Sequence, residues 1–102
     1  MNSIIKKNQS QIAAICEKYR VVKIELFGSA IRDDFDPNQS DLDFLVEFQP
    51  MPPVEYANSF FGLRWALQDL FQKSIDLVEA NSITNPYFRQ SIELNRVVLY
   101  ET

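Results

Sequence analysis

Three aspartates are placed where carboxylates can do chemistry. Asp41 and Asp43 sit two residues apart at the start of the apolar, alternating run Leu42–Phe48, and Asp76 interrupts the apolar Ser74–Glu79 segment. Strand side chains alternate, so the first two carboxylates share a face with Cα atoms about 7 Å apart. Like charges facing the same way repel, and a divalent cation between them relieves the repulsion. Aspartate has poor β propensity, and Asp76 has no basic neighbour in its own strand to pair with. If the two strands are adjacent, three acids converge, enough to hold two Mg2+ ions about 4 Å apart. Such a pair would bridge the phosphates of a nucleoside triphosphate and hold an attacking hydroxyl in line with the α-phosphorus. A further feature is Gly28-Ser29, which closes the apolar Val21–Phe27 run. Backbone N–H groups at a helical turn opening there, together with the serine hydroxyl, can hold an anion, although such a pair alone more often marks a simple turn.

Other chemistries are excluded by composition. The 102 residues contain no histidine, which removes a Ser/His/Asp or Cys/His nucleophile, a histidine base and a histidine-ligated zinc. Gly28 and Gly62 are the only glycines, too few for a dinucleotide fingerprint or a Walker A loop. Cys16 is the only cysteine and has no disulfide partner within the chain. Asp34, Asp36, Asn38 and Ser40 imitate the start of a calcium loop. The sixth position of that loop holds Gln39 instead of glycine, the twelfth holds Leu45 instead of glutamate, and Pro37 stiffens the middle. A turn at Asp36-Pro37-Asn38 is the better reading.

The net charge of −4 is uneven: basic residues dominate residues 1–24 and acids dominate 25–55, where Arg32 is the lone base. An acidic centre is a poor surface for polyanions, so no direct nucleic-acid contact is expected. No apolar stretch is long enough to span a membrane and no signal-peptide core is visible, so no membrane association and a cytoplasmic location are expected.

The elements that must position the acids can be read from periodicity. Ile5, Ile12, Ile15, Cys16 and Tyr19 fall at helical spacing and predict one helix over residues 3–19. Strands are expected at Val21–Phe27, Leu42–Phe48 and Ser74–Glu79. A helix is expected over 54–72, carried by Tyr56, Phe60, Leu63, Leu67, Leu70 and Phe71, with Trp65 off the stripe. Asn85-Pro86 reads as an N-cap and first position of a last helix through Asn95, burying Phe88 and Ile92. Val97–Tyr100 is either an edge strand or a packed tail. This alternation predicts an α/β (α+β) fold, a small mixed sheet with helices on one face, in a single domain over 1–102.

Together, Gly28-Ser29, Ser40-Asp41-Leu42-Asp43 with Phe44-Leu45-Val46, and Ile75-Asp76-Leu77-Val78 resemble the signature of the DNA polymerase beta-like nucleotidyltransferase superfamily. More narrowly, the chain resembles the minimal nucleotidyltransferases that act as antitoxins of HEPN-domain toxins. Eleven residues separate Ser29 from Asp41, one more than usual for that pattern. The resemblance implies Asp41, Asp43 and Asp76 as catalytic metal ligands, with Asp76 also activating the acceptor hydroxyl. It implies Gly28 and Ser29 as holders of the triphosphate. Arg32, one turn further on, could reach the phosphates or pair with Asp33 or Asp36. The implied activity is Mg2+-dependent transfer of AMP from ATP to a tyrosine of a HEPN toxin. Two alternatives stay open, a catalytically idle antitoxin acting by contact and a small-molecule nucleotidyltransferase of the aminoglycoside-modifying kind. Self-association into a homo-oligomer is also left open by the sequence.

Overall fold

The computed structural model describes residues 3–28, 41–87, 90 and 96–102. Two short helices, α1 (Ser3–Lys7) and α2 (Gln9–Lys18), lead into strand β1 (Val21–Phe27). Then follow β2 (Leu42–Phe48), the long helix α3 (Pro53–Phe71), β3 (Ile75–Glu79), a 3-10 turn at Ala80–Ser82, and β4 (Arg96–Glu101). The sheet order is β3-β2-β1-β4. Neighbours of β1 are both antiparallel to it, whereas β2 and β3 are parallel, so the sheet is mixed as expected. Parallel neighbours need a long crossover, and α3 supplies it.

The single helix expected over 3–19 is in fact two. Asn8 adopts φ −110°, ψ 19°, and its N–H bonds Ile5 O at 3.1 Å in a tighter turn. Asparagine competes poorly for helix interiors, and the break lets Ile5 and Ile12 both enter the core. The choice left open at the C-terminus resolves as an edge strand, because β4 pairs along β1 from Lys23–Glu101 to Phe27–Arg96. At the last helix, Asn85 Oδ1 accepts the Tyr87 N–H at 2.9 Å, the expected N-cap. Its continuation, with Phe88 and Ile92, lies outside the described residues.

Alternation divides the sheet. Leu42, Phe44, Val46 and Phe48 of β2, Ile24 and Leu26 of β1, and Ile75 and Leu77 of β3 pack against the helices. From α3 the stripe Leu63, Leu67 and Phe71 meets them, with the Phe71 and Phe44 rings stacked 6.1 Å apart. Gly62 lets α2 approach closely, because a Cβ there would strike the Tyr19 ring. Trp65, off the stripe, is exposed. No helix among the described residues is long and apolar enough to cross a membrane.

Candidate active site

On the face opposite α1, α2 and α3, β2 and β3 place Asp43 and Asp76 as direct register partners. Adjacent strands lie about 4.8 Å apart, so the two acids are neighbours on one surface, Asp43 half-buried and Asp76 exposed. Asp41 is exposed and immediately precedes β2, where the Leu42 N–H bonds Ser74 O at 3.2 Å and ties the starts of β2 and β3 together.

Gly28 comes to the same end from β1. Its predecessor Phe27 is the register partner of Asp43, and Gly28 itself turns the chain at φ +78°, in the left-handed region that favours glycine. A Cβ at this position would collide with the Asp43 carboxylate, so glycine keeps clear the space in front of that acid. The strands therefore gather Gly28, Asp43 and Asp76, with Asp41 one residue outside β2. Ser29 and Arg32, and the whole 29–40 connection with its extra residue, lie outside the described residues.

Among the described residues no three acidic or thiol side chains stand close enough to form a metal cage by themselves. Magnesium does not need one, because it keeps waters and substrate phosphates and takes only one or two carboxylates from the protein. The available donors are hard carboxylate oxygens, and the Asp43 carboxylate packs into the space that a Cβ at Gly28 would take. Donor type fits a hard divalent cation.

One further carboxylate on this face escaped the sequence reading. Glu25, two residues before Phe27, is only 4% exposed. Arg96 Nε lies 3.1 Å from its Oε2 and Lys23 Nζ 3.7 Å from its Oε1. The Arg96 contact is ionic, for Oε2 accepts no hydrogen bond among the described residues. These cations neutralise Glu25 and tie β4 to β1, so its work is structural. The signal was present in the alternation of Lys23, Glu25 and Phe27 against Val22, Ile24 and Leu26.

A small apolar cluster also occupies this face. Phe27, Leu45 and Ile83 are buried together, with Val78 and Ala80 packed on them. Cys16, by contrast, lies in the main core, where burial pushes its thiol up to about 12 and leaves it inert as a nucleophile.

Comparison with known proteins decides the family. The nucleotidyltransferase domain model matches residues 9–99. The chain belongs to this family. A Methanocaldococcus jannaschii nucleotidyltransferase named "Putative protein adenylyltransferase MJ0128" is 44% identical over 77 residues, which are 76% of this chain and 74% of the relative. The fold is that of minimal nucleotidyltransferases. A solved "putative minimal nucleotidyltransferase" superposes with TM-score 0.71 at 23% identity, covering 95% of both chains. A Shewanella oneidensis structure of a tri-AMPylated HEPN toxin in complex with its MNT antitoxin gives TM-score 0.64 at 20% identity, covering 96% of this chain and 73% of that one. An enzyme of the nucleotidyltransferase class is thus established by family, as the acid pattern implied.

Proposed function

We propose that residues 1–102 act as one nucleotidyltransferase domain that moves AMP from ATP to a tyrosine hydroxyl of a HEPN-domain toxin, with Mg2+, and so serves as its antitoxin. The observation that carries the reading is the Asp43–Asp76 register pair with the side-chain-free Gly28 beside Asp43. The adenylyltransferase name of the archaeal relative and the AMPylated toxin in the Shewanella complex favour adenylate and a protein acceptor.

In this reading Asp41, Asp43 and Asp76 hold the magnesium ions, which when bound neutralise the triphosphate and lower the cost of forming an oxyanion. Gly28 and Ser29 hold the triphosphate through backbone N–H groups and the serine hydroxyl, with Arg32 adding a cation. Asp76 takes the proton of the acceptor hydroxyl at its carboxylate, the chain having no histidine for the task. The acceptor oxygen bonds to the α-phosphorus, the bond from that phosphorus to the α–β bridging oxygen breaks, and pyrophosphate leaves with that electron pair. Buried and ion-paired Glu25 keeps β1 and β4 in place behind the site.

The test is intact-mass spectrometry of a HEPN toxin co-expressed with this chain. Adducts of the mass of AMP less one water on the toxin, absent with Asp76→Asn, are expected. Toxin silenced without any added mass, and silenced equally by Asp76→Asn, would leave a contact antitoxin instead.

A further inference from the structure

Helix α3 carries an apolar stripe that the core does not use. Val54, Phe61 and Trp65 are 73%, 52% and 70% exposed, whereas Ser59, Leu63, Leu67 and Phe71 of the same helix are buried. Exposed Asn58 and half-buried Gln68 complete a line through residues 54, 58, 61, 65 and 68. Its steps alternate four, three, four, three, the a/d spacing of a coiled-coil seam, and extend over about 21 Å of helix. At about 100° per residue the seam lies directly opposite Leu63 and so faces away from the sheet. Phe61 rests edge-on against Phe60 with ring centroids 5.5 Å apart, which holds this anchor in position. Single exposed apolar residues are ordinary, but a Phe and a Trp one turn apart on such a seam form a patch of the kind that marks an interface.

The charges beside the seam select its occupant. With Asn58 and Trp65 at a and Val54, Phe61 and Gln68 at d, Arg64 falls at g and Asp69 at the following e. Two parallel helices bring each g residue to the e residue five positions later on the other, so Arg64 of one copy meets Asp69 of a second, and the reverse pair forms with it. Both side chains are exposed, and among the described residues neither forms an ion pair within the chain. Asn58 meets its own copy across the seam, the polar a-position pair that fixes two strands in one register. Reversing one helix would set g beside g and e beside e, where Arg64 meets no acid and Asp69 no base. Each copy supplies both halves of the ion pairs, as a two-fold contact between identical chains requires.

We propose that α3 is a self-association surface: two copies of the chain pair through parallel α3 helices along this seam, clamped by reciprocal Arg64–Asp69 ion pairs. Five seam positions per copy are far fewer than the roughly 20–30 residues a side of a standard interface, so the dimer is weak and depends on concentration. The sheet separates the seam from Asp43 and Asp76, so pairing leaves both acid faces open, and the dimer stands or falls independently of the transfer reaction.

The test is sedimentation velocity of the full chain from low-micromolar to sub-millimolar concentration, with tryptophan emission read on the same samples. Trp65 is the only tryptophan, so the emission should shift to shorter wavelength as dimer forms. Trp65→Asp should weaken dimerisation about tenfold or more, with the fold intact by circular dichroism. Asp69→Arg should weaken it about threefold or more, and adding Arg64→Asp should restore the wild-type constant. Val54→Cys and Gln68→Cys, made separately, should each give a disulfide-linked dimer, since Cys16 is buried and only the parallel arrangement sets both ends of the seam against their own copies. A chain that is monomeric at every concentration would overturn the proposal. So would a dimer indifferent to Trp65→Asp, a double charge variant no better than Asp69→Arg, or failure of either cysteine to link. A monomeric chain that loses a HEPN toxin on Trp65→Asp would assign the seam to the toxin and overturn it too.

Discussion

The two faces of the sheet are written by alternate residues of the same strands, yet they answer to opposite demands. In β2, Leu42, Phe44 and Val46 are fully buried against the helices, whereas Asp43, one step away on the chain, stands next to Asp76 in a pairing that places like charges side by side. The helix-covered face shows what folding asks for, apolar side chains in contact. The acid face retains what folding alone would remove, since two adjacent carboxylates cost electrostatic energy and a glycine at φ +78° sacrifices chain entropy. Where a fold tolerates such costs in one place, that place is where function is to be sought.

Substitutions can break this contrast or sharpen it. The largest stability effect belongs to the core face: Phe44→Ala should cost about 3–5 kcal/mol, a large share of the total for a domain of this size, measured by urea denaturation. A comparable loss from Asp76→Asn would erase the distinction between the faces. Alkaline pH should also act through the core. The folded-state thiol of Cys16 is raised from 9.0 to about 12, so the native state keeps its proton after the unfolded state has lost it. Stability from this source is complete below pH 9 and drains away as pH rises toward 12, with Tyr56, also raised by burial and by Glu79, adding to the loss above 10. Cys16→Ala should flatten the pH 9–12 part of a Tm profile, and an unchanged slope would assign it to other groups.

Smaller effects come from close approaches and turns. Gly62→Ala should cost about 1–3 kcal/mol, because the new methyl must displace the Tyr19 ring and separate α2 from α3. Gln72→Gly, at the left-handed residue ending α3 (φ 53°), touches neither face and should stabilise by up to about 1 kcal/mol in the same melts.

Legibility in the sequence followed the range of the interaction. Local alternation and periodicity located β1, β2, β3 and α3 to within a residue or so, and the face shared by Asp43, Leu45 and Glu47 was readable from period two alone. The break at Asn8 was not, because a single residue of weak helix propensity gives no signal against the strong Ile5, Ile12 and Cys16 stripe. Long-range pairings were harder still. Whether Val97–Tyr100 forms a strand depends on β1 more than seventy residues earlier, as the Lys23–Glu101 register shows, and nothing in the local pattern encodes it. For the site, the spacing of Asp41 and Asp43 and the odd position of Asp76 suggested three converging acids; among the described residues the sheet shows the Asp43–Asp76 register and the close approach at Gly28, and no three-acid group. Glu25 was overlooked because its partner Arg96 lies on a strand the sequence left undecided. The packing of Ile83 on Phe27 and Leu45 is likewise a tertiary fact.

Whether the paired acids serve the reaction and not the fold can be read from stability and transfer measured on one sample of Asp76→Asn. The charge-neutral substitution keeps the side chain's size, removes repulsion with Asp43, and deprives the acceptor of its proton-taking carboxylate. A Tm equal to or above that of the wild type is expected, with AMP transfer from ATP and Mg2+ to the HEPN toxin reduced by about 100-fold or more. A protein that melts several degrees lower would make Asp76 a structural residue, and one that transfers AMP at the wild-type rate would remove it from the reaction.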